Sequence, residues 1–238
     1  NKMMKNKVAF IDLGVVDYRI AWQEQEKLFN NIIEAKKSGN TVRNYLIFCQ
    51  HPHVYTLGKS GSENNLLINA IQLQARDASF VKTNRGGDIT YHGPGQLVGY
   101  PIFDLESFNI GLKKYIYLME EAIIQTLQEY NISSDRLNNA TGVWLDKQSP
   151  NPRKICSIGV KSSRYVTMHG FALNINTDLN YFDYINPCGF TDKKMTSLQK
   201  ELSIPEADFY EISEWVKKKF IALFNISLFD QKFEKLHE

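Results

Sequence analysis

The chain has 238 residues, 43% hydrophobic and 12% aromatic, enough to bury the core of one large globular unit or two small ones. Lys+Arg 28 against Asp+Glu 26 leaves a formal charge of +2, which argues against a dedicated nucleic-acid binder with its usual basic excess. No apolar run approaches the ~20 residues of a membrane span, NKMMKNKVAF has lysines but no apolar signal core, and 3 widely separated cysteines make no disulfide framework, so a free-thiol protein of the reducing cytoplasm is expected.

In chain order, VAFIDLG (8–14) reads as a short buried strand. Asp17 can cap a helix through AWQEQEKLFNNIIEAKK, which ends in lysines with Gly39 just beyond. NYLIFCQ (44–50) is apolar and bounded by turn signals, as a central strand would be, and LLINAIQLQA (66–75) suggests a helix. The stretch 80–105 reads strand, glycine loop, strand. In 112–130, Tyr115, Met119, Ala122, Ile123 and Leu127 fall on one stripe, the mark of an amphipathic helix. ATGVWLD (140–146), KICSIGVKS (154–162) and HGFALNIN (169–176) predict three consecutive antiparallel strands, joined by turns at 147–152 and 162–167. A last helix is expected from Ser203-Ile-Pro205-Glu206 to about Leu223, and 227–236 fits either a closing strand or a helix. Helices and strands mix without strict alternation. That predicts an α+β fold with a mixed, largely antiparallel sheet flanked by helices. No composition shift marks a linker, so residues 1–238 are expected to form a single domain, with the part after about 200 as a small C-terminal subdomain of it.

Three places concentrate unusual chemistry. RGGDITYHGPGQLVGY (85–100) holds glycines at 86, 87, 93, 95 and 99, so its backbone must turn sharply or approach something closely. A plain hairpin would use such residues, and so would a ligand loop with exposed N–H donors. The ending of a phosphate P-loop and the GxGxxG of a dinucleotide site are both missing. In KICSIGVKS, strand period puts Lys154, Cys156, Ile158 and Val160 on one face. A lysine there either snorkels to solvent or sits partly desolvated beside a thiol, whose pKa it would lower. In INPCGFTDKKM (185–195), Cys188 is held between Pro187 and Gly189 in a tight turn. Cys49 and Cys156 lie in apolar runs and read as core, whereas Cys188 is the better candidate for exposure. His51 and His53 could offer two metal ligands, but no zinc spacing accompanies them. His92 and His169 sit beside glycines and could orient a loop or shuttle a proton, and His237 reads as a solvated tail residue.

Taken together, these motifs resemble the lipoyl(octanoyl)transferase family. The match rests on RGGDITYHGPGQLVGY, the upstream HPHVYTLGKSG (51–61), KICSIGV, HGFALNIN and INPCG, which follow in the family's order over roughly residues 45–200. His53 departs from it, standing where many members have a second proline. The resemblance implies a fold like the catalytic domain of biotin and lipoate–protein ligases. It implies transfer of an octanoyl group from octanoyl-acyl carrier protein to a lysine of lipoyl domains, those of 2-oxoacid dehydrogenase complexes and the glycine cleavage H protein, with no nucleic-acid or membrane partner. It assigns Cys188 as nucleophile and Lys154 as the lysine beside it. The acyl pocket would use Arg85, Gly86, Gly87, Asp88, Ile89, Thr90, Tyr91 and His92, with Ser157, Ile158 and Gly159 and with His169, Gly170, Phe171 and Ala172. No cofactor is implied, neither ATP nor metal, since the donor thioester is already activated. The rivals are an ATP-dependent lipoate or biotin ligase on the same fold, a lipoyl amidotransferase, and a non-catalytic lipoyl-domain binding module.

Overall fold

In the computed structural model, residues 4–187 and 194–234 are described. Cys188 and His237 lie outside them.

A long sheet forms the middle layer. Its strands, in chain order, are β1 (Asn6–Val15), β2 (Asn44–Gln50), β6 (Gln96–Ile102), β7 (Asp135–Leu137), β8 (Ala140–Leu145), β9 (Arg153–Ser163), β10 (Val166–Asn174), β11 (Lys194–Met195) and β12 (Ile226–Asp230). The spatial order is β12-β1-β2-β6-β10-β9-β8-β7, with β11 beside the start of β9. The pairs β12–β1, β1–β2 and β11–β9 are parallel and the others antiparallel. A second sheet of three strands, β3 (Val54–Leu57), β4 (Ser79–Lys82) and β5 (Ile89–His92), runs in the order β4-β3-β5.

Helices cover both faces of the long sheet. On one side α1 (Tyr18–Lys37), capped by Asp17, buries Ala21, Leu28 and Ile32 against Ile11, Ile47, Val98, Tyr100 and Met168. On the other, α3 (Leu112–Gln128) and α5 (Phe209–Phe224) pack together over Phe48, Leu97, Phe171 and Leu173. The expected stripe of α3 is the buried one: Tyr115, Met119, Ala122, Ile123 and Leu127 are all inaccessible.

The C-terminal expectation needs correcting. The described residues after 200 form no separate subdomain: α5 lies in the main core, and β12 extends the long sheet beside β1. The last helix also starts later than Pro205. Ser203, in the left-handed region, ends the short α4 (Leu198–Leu202), and the Asp208 side chain accepts from Glu211 N to begin α5. The helix expected over 66–75 shortens to α2 (Ala70–Ala75), because a capping box between Asn69 and Gln72 fixes its start.

Candidate active site

The second sheet and the loop after β4 stand over the α1-side face of β6, β10 and β9. A cleft of about 1090 Å³ lies beneath them. Arg85 builds its roof. The guanidinium is buried and donates to Thr56 O (2.7 Å), Thr56 Oγ1 (2.8 Å from Nη2), Gly86 O (2.8 Å) and Asp88 O (2.9 Å). Its donors thus hold two of the loop's own carbonyls and tie the loop to Thr56 of β3. Gly86 N donates in turn to Val160 O at 2.8 Å, fastening the loop to β9.

His92 lies at the inner end, stacked on Tyr18 at 5.7 Å and 12°. Its tautomer follows from its neighbours. Gln96 Nε2 donates to Tyr91 O (3.1 Å) and Asn174 Oδ1 (3.0 Å), so Gln96 Oε1 is the acceptor facing His92 Nδ1 at 2.8 Å. Nδ1 therefore carries the proton, and Nε2 keeps a lone pair. Burial first, and then the nearby His51, lower its pKa to about 3, so the ring is neutral. His51 is set likewise: Nδ1 donates to Val16 O (2.7 Å), Nε2 accepts from Tyr100 OH (2.7 Å), and burial lowers its pKa to about 4. His169 adopts a positive φ of 61°, its N–H given to Gln25 Oε1 and its Nε2 to Asn84 Oδ1. Burial, with Arg85 second, lowers its pKa to about 3. His51 and His53 engage different partners, and no group of three or more metal-binding side chains occurs among the described residues.

Lys154 lines the outer part of the cleft, and its Nζ lies 4.9 Å from the Trp144 ring centroid. It does not share a face with Cys156, as strand period predicts. Val143 pairs with Cys156 but Trp144 with Lys154, so Ile155 is an extra residue, a β-bulge. Ile155 and Cys156 both enter the α3/α5 core, and Lys154 turns to the opposite face beside Trp144. Cys156 is inaccessible, burial raises its thiol pKa, and its Sγ donates to Ser157 O at 3.7 Å. Cys49 is buried too, its thiol pKa raised for the same reason.

Of the expected residues, Arg85 to Thr90, His92, Lys154, Ser157 to Gly159 and His169 to Ala172 all line the one cleft. Tyr91 does not. It is buried in the second sheet's own core, its hydroxyl is hydrogen-bonded to His53 Nδ1 (2.6 Å), and its ring stacks on Tyr181. Alternation along β5 turns Thr90 and His92 to the cleft and Tyr91 away from it, while Ile89, on the same side as Tyr91, reaches the cleft from the strand's first position beside the loop. Cleft residues beyond the expected set include Tyr18, Trp144 and Leu179, together with Tyr100, which closes the RGGDITYHGPGQLVGY motif. The hairpin pattern does not point to Trp144, because regular pairing onward from Val143–Cys156 would set it opposite Ile155, and only the bulge brings it beside Lys154.

Residues 17–221 match the family model of the lipoyl protein ligase A/B catalytic domain. An octanoyltransferase of Bacteroides thetaiotaomicron is 56% identical over 196 residues, covering 82% of this chain and 86% of that protein. One of Flavobacterium psychrophilum is 51% identical over 231 residues, covering 94% and 100%. Among solved structures, the bipartite lipoate protein ligase of Thermoplasma acidophilum superposes with a TM-score of 0.70 at 13% identity, covering 97% of this chain and 88% of that one. That likeness concerns the fold.

Proposed function

The chain belongs to the lipoyl protein ligase A/B catalytic-domain family, and from that premise we propose that it moves an octanoyl group from octanoyl-acyl carrier protein to a lysine of lipoyl domains through a thioester on Cys188. It is an acyltransferase enzyme, and its relatives' shared name supports octanoyl transfer in protein lipoylation. One observation carries the finer reading: Lys154, the Arg85–His92 loop, the Ser157–Gly159 and Gly170–Ala172 segments and Pro187, the residue bonded to Cys188, all line a single cleft.

In this reading the Cys188 thiolate attacks the donor thioester, and carrier protein leaves as its thiol. The lipoyl-domain amine then attacks the new thioester. The Lys154 ammonium first favours the thiolate and, as the free amine, later accepts the proton of the attacking nitrogen. Loop N–H groups aimed at the developing oxyanion would each contribute about 3–4 kcal/mol. Burying the acyl methylenes contributes roughly 0.8 kcal/mol each, about 5 kcal/mol in all, so the cleft's walls carry much of the selectivity. No ATP enters, because the thioester is the activated form.

The test is intact-mass analysis after incubation with octanoyl-acyl carrier protein. An octanoyl adduct should form on the wild type and map to the peptide containing Cys188. An adduct that persists in Cys188→Ser removes that residue from the role.

A further inference from the structure

The bulge that turns Lys154 into the cleft is held from behind. Pairing of β8 with β9 stops at Val143, one residue short of Gly142. Gly142 adopts φ +131°, and its N–H leaves the strand to donate to Glu120 Oε2 of α3 at 3.2 Å. A Cβ at Gly142 would lie 2.6 Å from Cys156 O, and 3.6 and 3.7 Å from Cε and Cδ of Lys154. The bulge carbonyl, the lysine stem and the Gly142 backbone are thus packed in one place. Glu120 is itself buried, and burial raises its pKa. Its other oxygen accepts from Arg136 Nε at 3.2 Å. Arg136, on β7, also donates to Glu121 Oε2 (2.7 Å) and Tyr117 O (2.9 Å) and lies 3.9 Å over the Tyr117 ring.

We propose that Glu120, seconded by Arg136, is a positioning residue for Lys154: its carboxylate takes the Gly142 N–H, which lies beside the β9 bulge and within the register shift between β7 and β8, and so fixes the register that aims the lysine at the cleft. A carboxylate buried in a helix face is costly unless it is hydrogen-bonded, and this one is bonded on both oxygens. Without an acceptor there, the Gly142 N–H is buried and unpaired, and a regular register that pairs it with β9 becomes competitive. A shift of one residue would carry Lys154 to the core face, since side chains alternate along a strand. The proposal rests on the reading of Lys154 given above only for its effect on turnover; the placement itself is read directly.

The experiment is carbon-13 NMR of the full chain with reductively methylated lysines, the Lys154 signal being assigned by its loss in Lys154→Arg. In the wild type the ring of Trp144 should displace that signal from those of exposed lysines. Glu120→Gln keeps an acceptor and should keep the displacement, whereas Glu120→Ala should lose it. In parallel, Glu120→Ala should lower kcat for octanoyl transfer by about tenfold, with KM changed less than about twofold, as expected of a misplaced group. A folded Glu120→Ala with the Lys154 signal unmoved overturns the proposal, whatever its activity. A signal that moves while kcat stays unchanged upholds the positioning and instead removes Lys154 from the chemistry. Should Glu120→Ala not fold, Arg136→Leu, which removes only the outer half of the network, should displace the signal in part, and an unmoved signal there overturns the proposal too.

Discussion

The cysteines show what a side chain's surroundings do to its chemistry. Cys49 and Cys156 are packed among apolar neighbours, and burial raises both thiol pKa values, so neither offers thiolate or access to a reagent. Iodoacetamide on the native protein should leave both unmodified, protected at least about 100-fold relative to the unfolded chain. Peptide mapping of native and denatured samples checks this, and rapid native labelling of Cys156 would show that β9 opens easily. Apolar flanks were enough to expect both as core from sequence. The face of Lys154 was not legible, because alternation assumes unbroken pairing. The one residue that breaks it, Ile155, looks like any other strand isoleucine.

At the scale of elements, runs such as VAFIDLG, NYLIFCQ and HGFALNIN were readable as strands because their apolar residues end at turn signals. Which strands pair was not readable, since β1 with β12 and β2 with β6 join segments far apart in sequence. The start of α5 was misplaced although its signal was present: Asp208 with Glu211 three positions on is a capping pattern, and it outweighs the early proline. The glycine loop's attachment to β3 rests on a glycine outside the loop. A Cβ on Gly58 would stand 2.1 Å from Gly87 O and 2.7 Å from Arg85 Nη1, and a backbone carbonyl cannot yield as a side-chain tip can. Gly58→Ala should therefore cost on the order of 2–3 kcal/mol in urea unfolding and raise KM for the acyl donor. Gly111→Ala, at a site with nothing within 4 Å, is the control and should cost about 1 kcal/mol or less. Equal effects of the two would mean that the loop tolerates displacement.

For the molecule as a whole, three neutral histidines, two lining the cleft and His51 buried behind Tyr100, set its response to acid. His51, His92 and His169 have pKa values lowered from 6.5 to about 4, 3 and 3, burial being the largest cause in each. The Arg85 charge disfavours protonation of the last two as well. In the unfolded chain all three titrate near 6.5. Below that pH the unfolded state binds more protons than the folded state, so the stability they confer is complete above about pH 6.5 and is lost as pH falls toward 4 and 3. Each buried imidazole can remove about 1.4 kcal/mol per pH unit, so the three together reach about 4 kcal/mol per unit at the steepest. Glu120 works in the other direction: its raised pKa confers stability that is present at low pH and lost on raising it, which softens the slope near the carboxylate range. Urea midpoints measured at pH 7.5, 6.5, 5.5 and 4.5 should therefore fall steadily, with proton uptake on unfolding. His169→Asn, which keeps an amide near Asn84 but cannot titrate, should flatten the curve by about a third. A midpoint constant from pH 7.5 to 4.5 would mean that these imidazoles meet solvent freely, and the sealed, hydrogen-bonded inner end of the cleft would have to be abandoned.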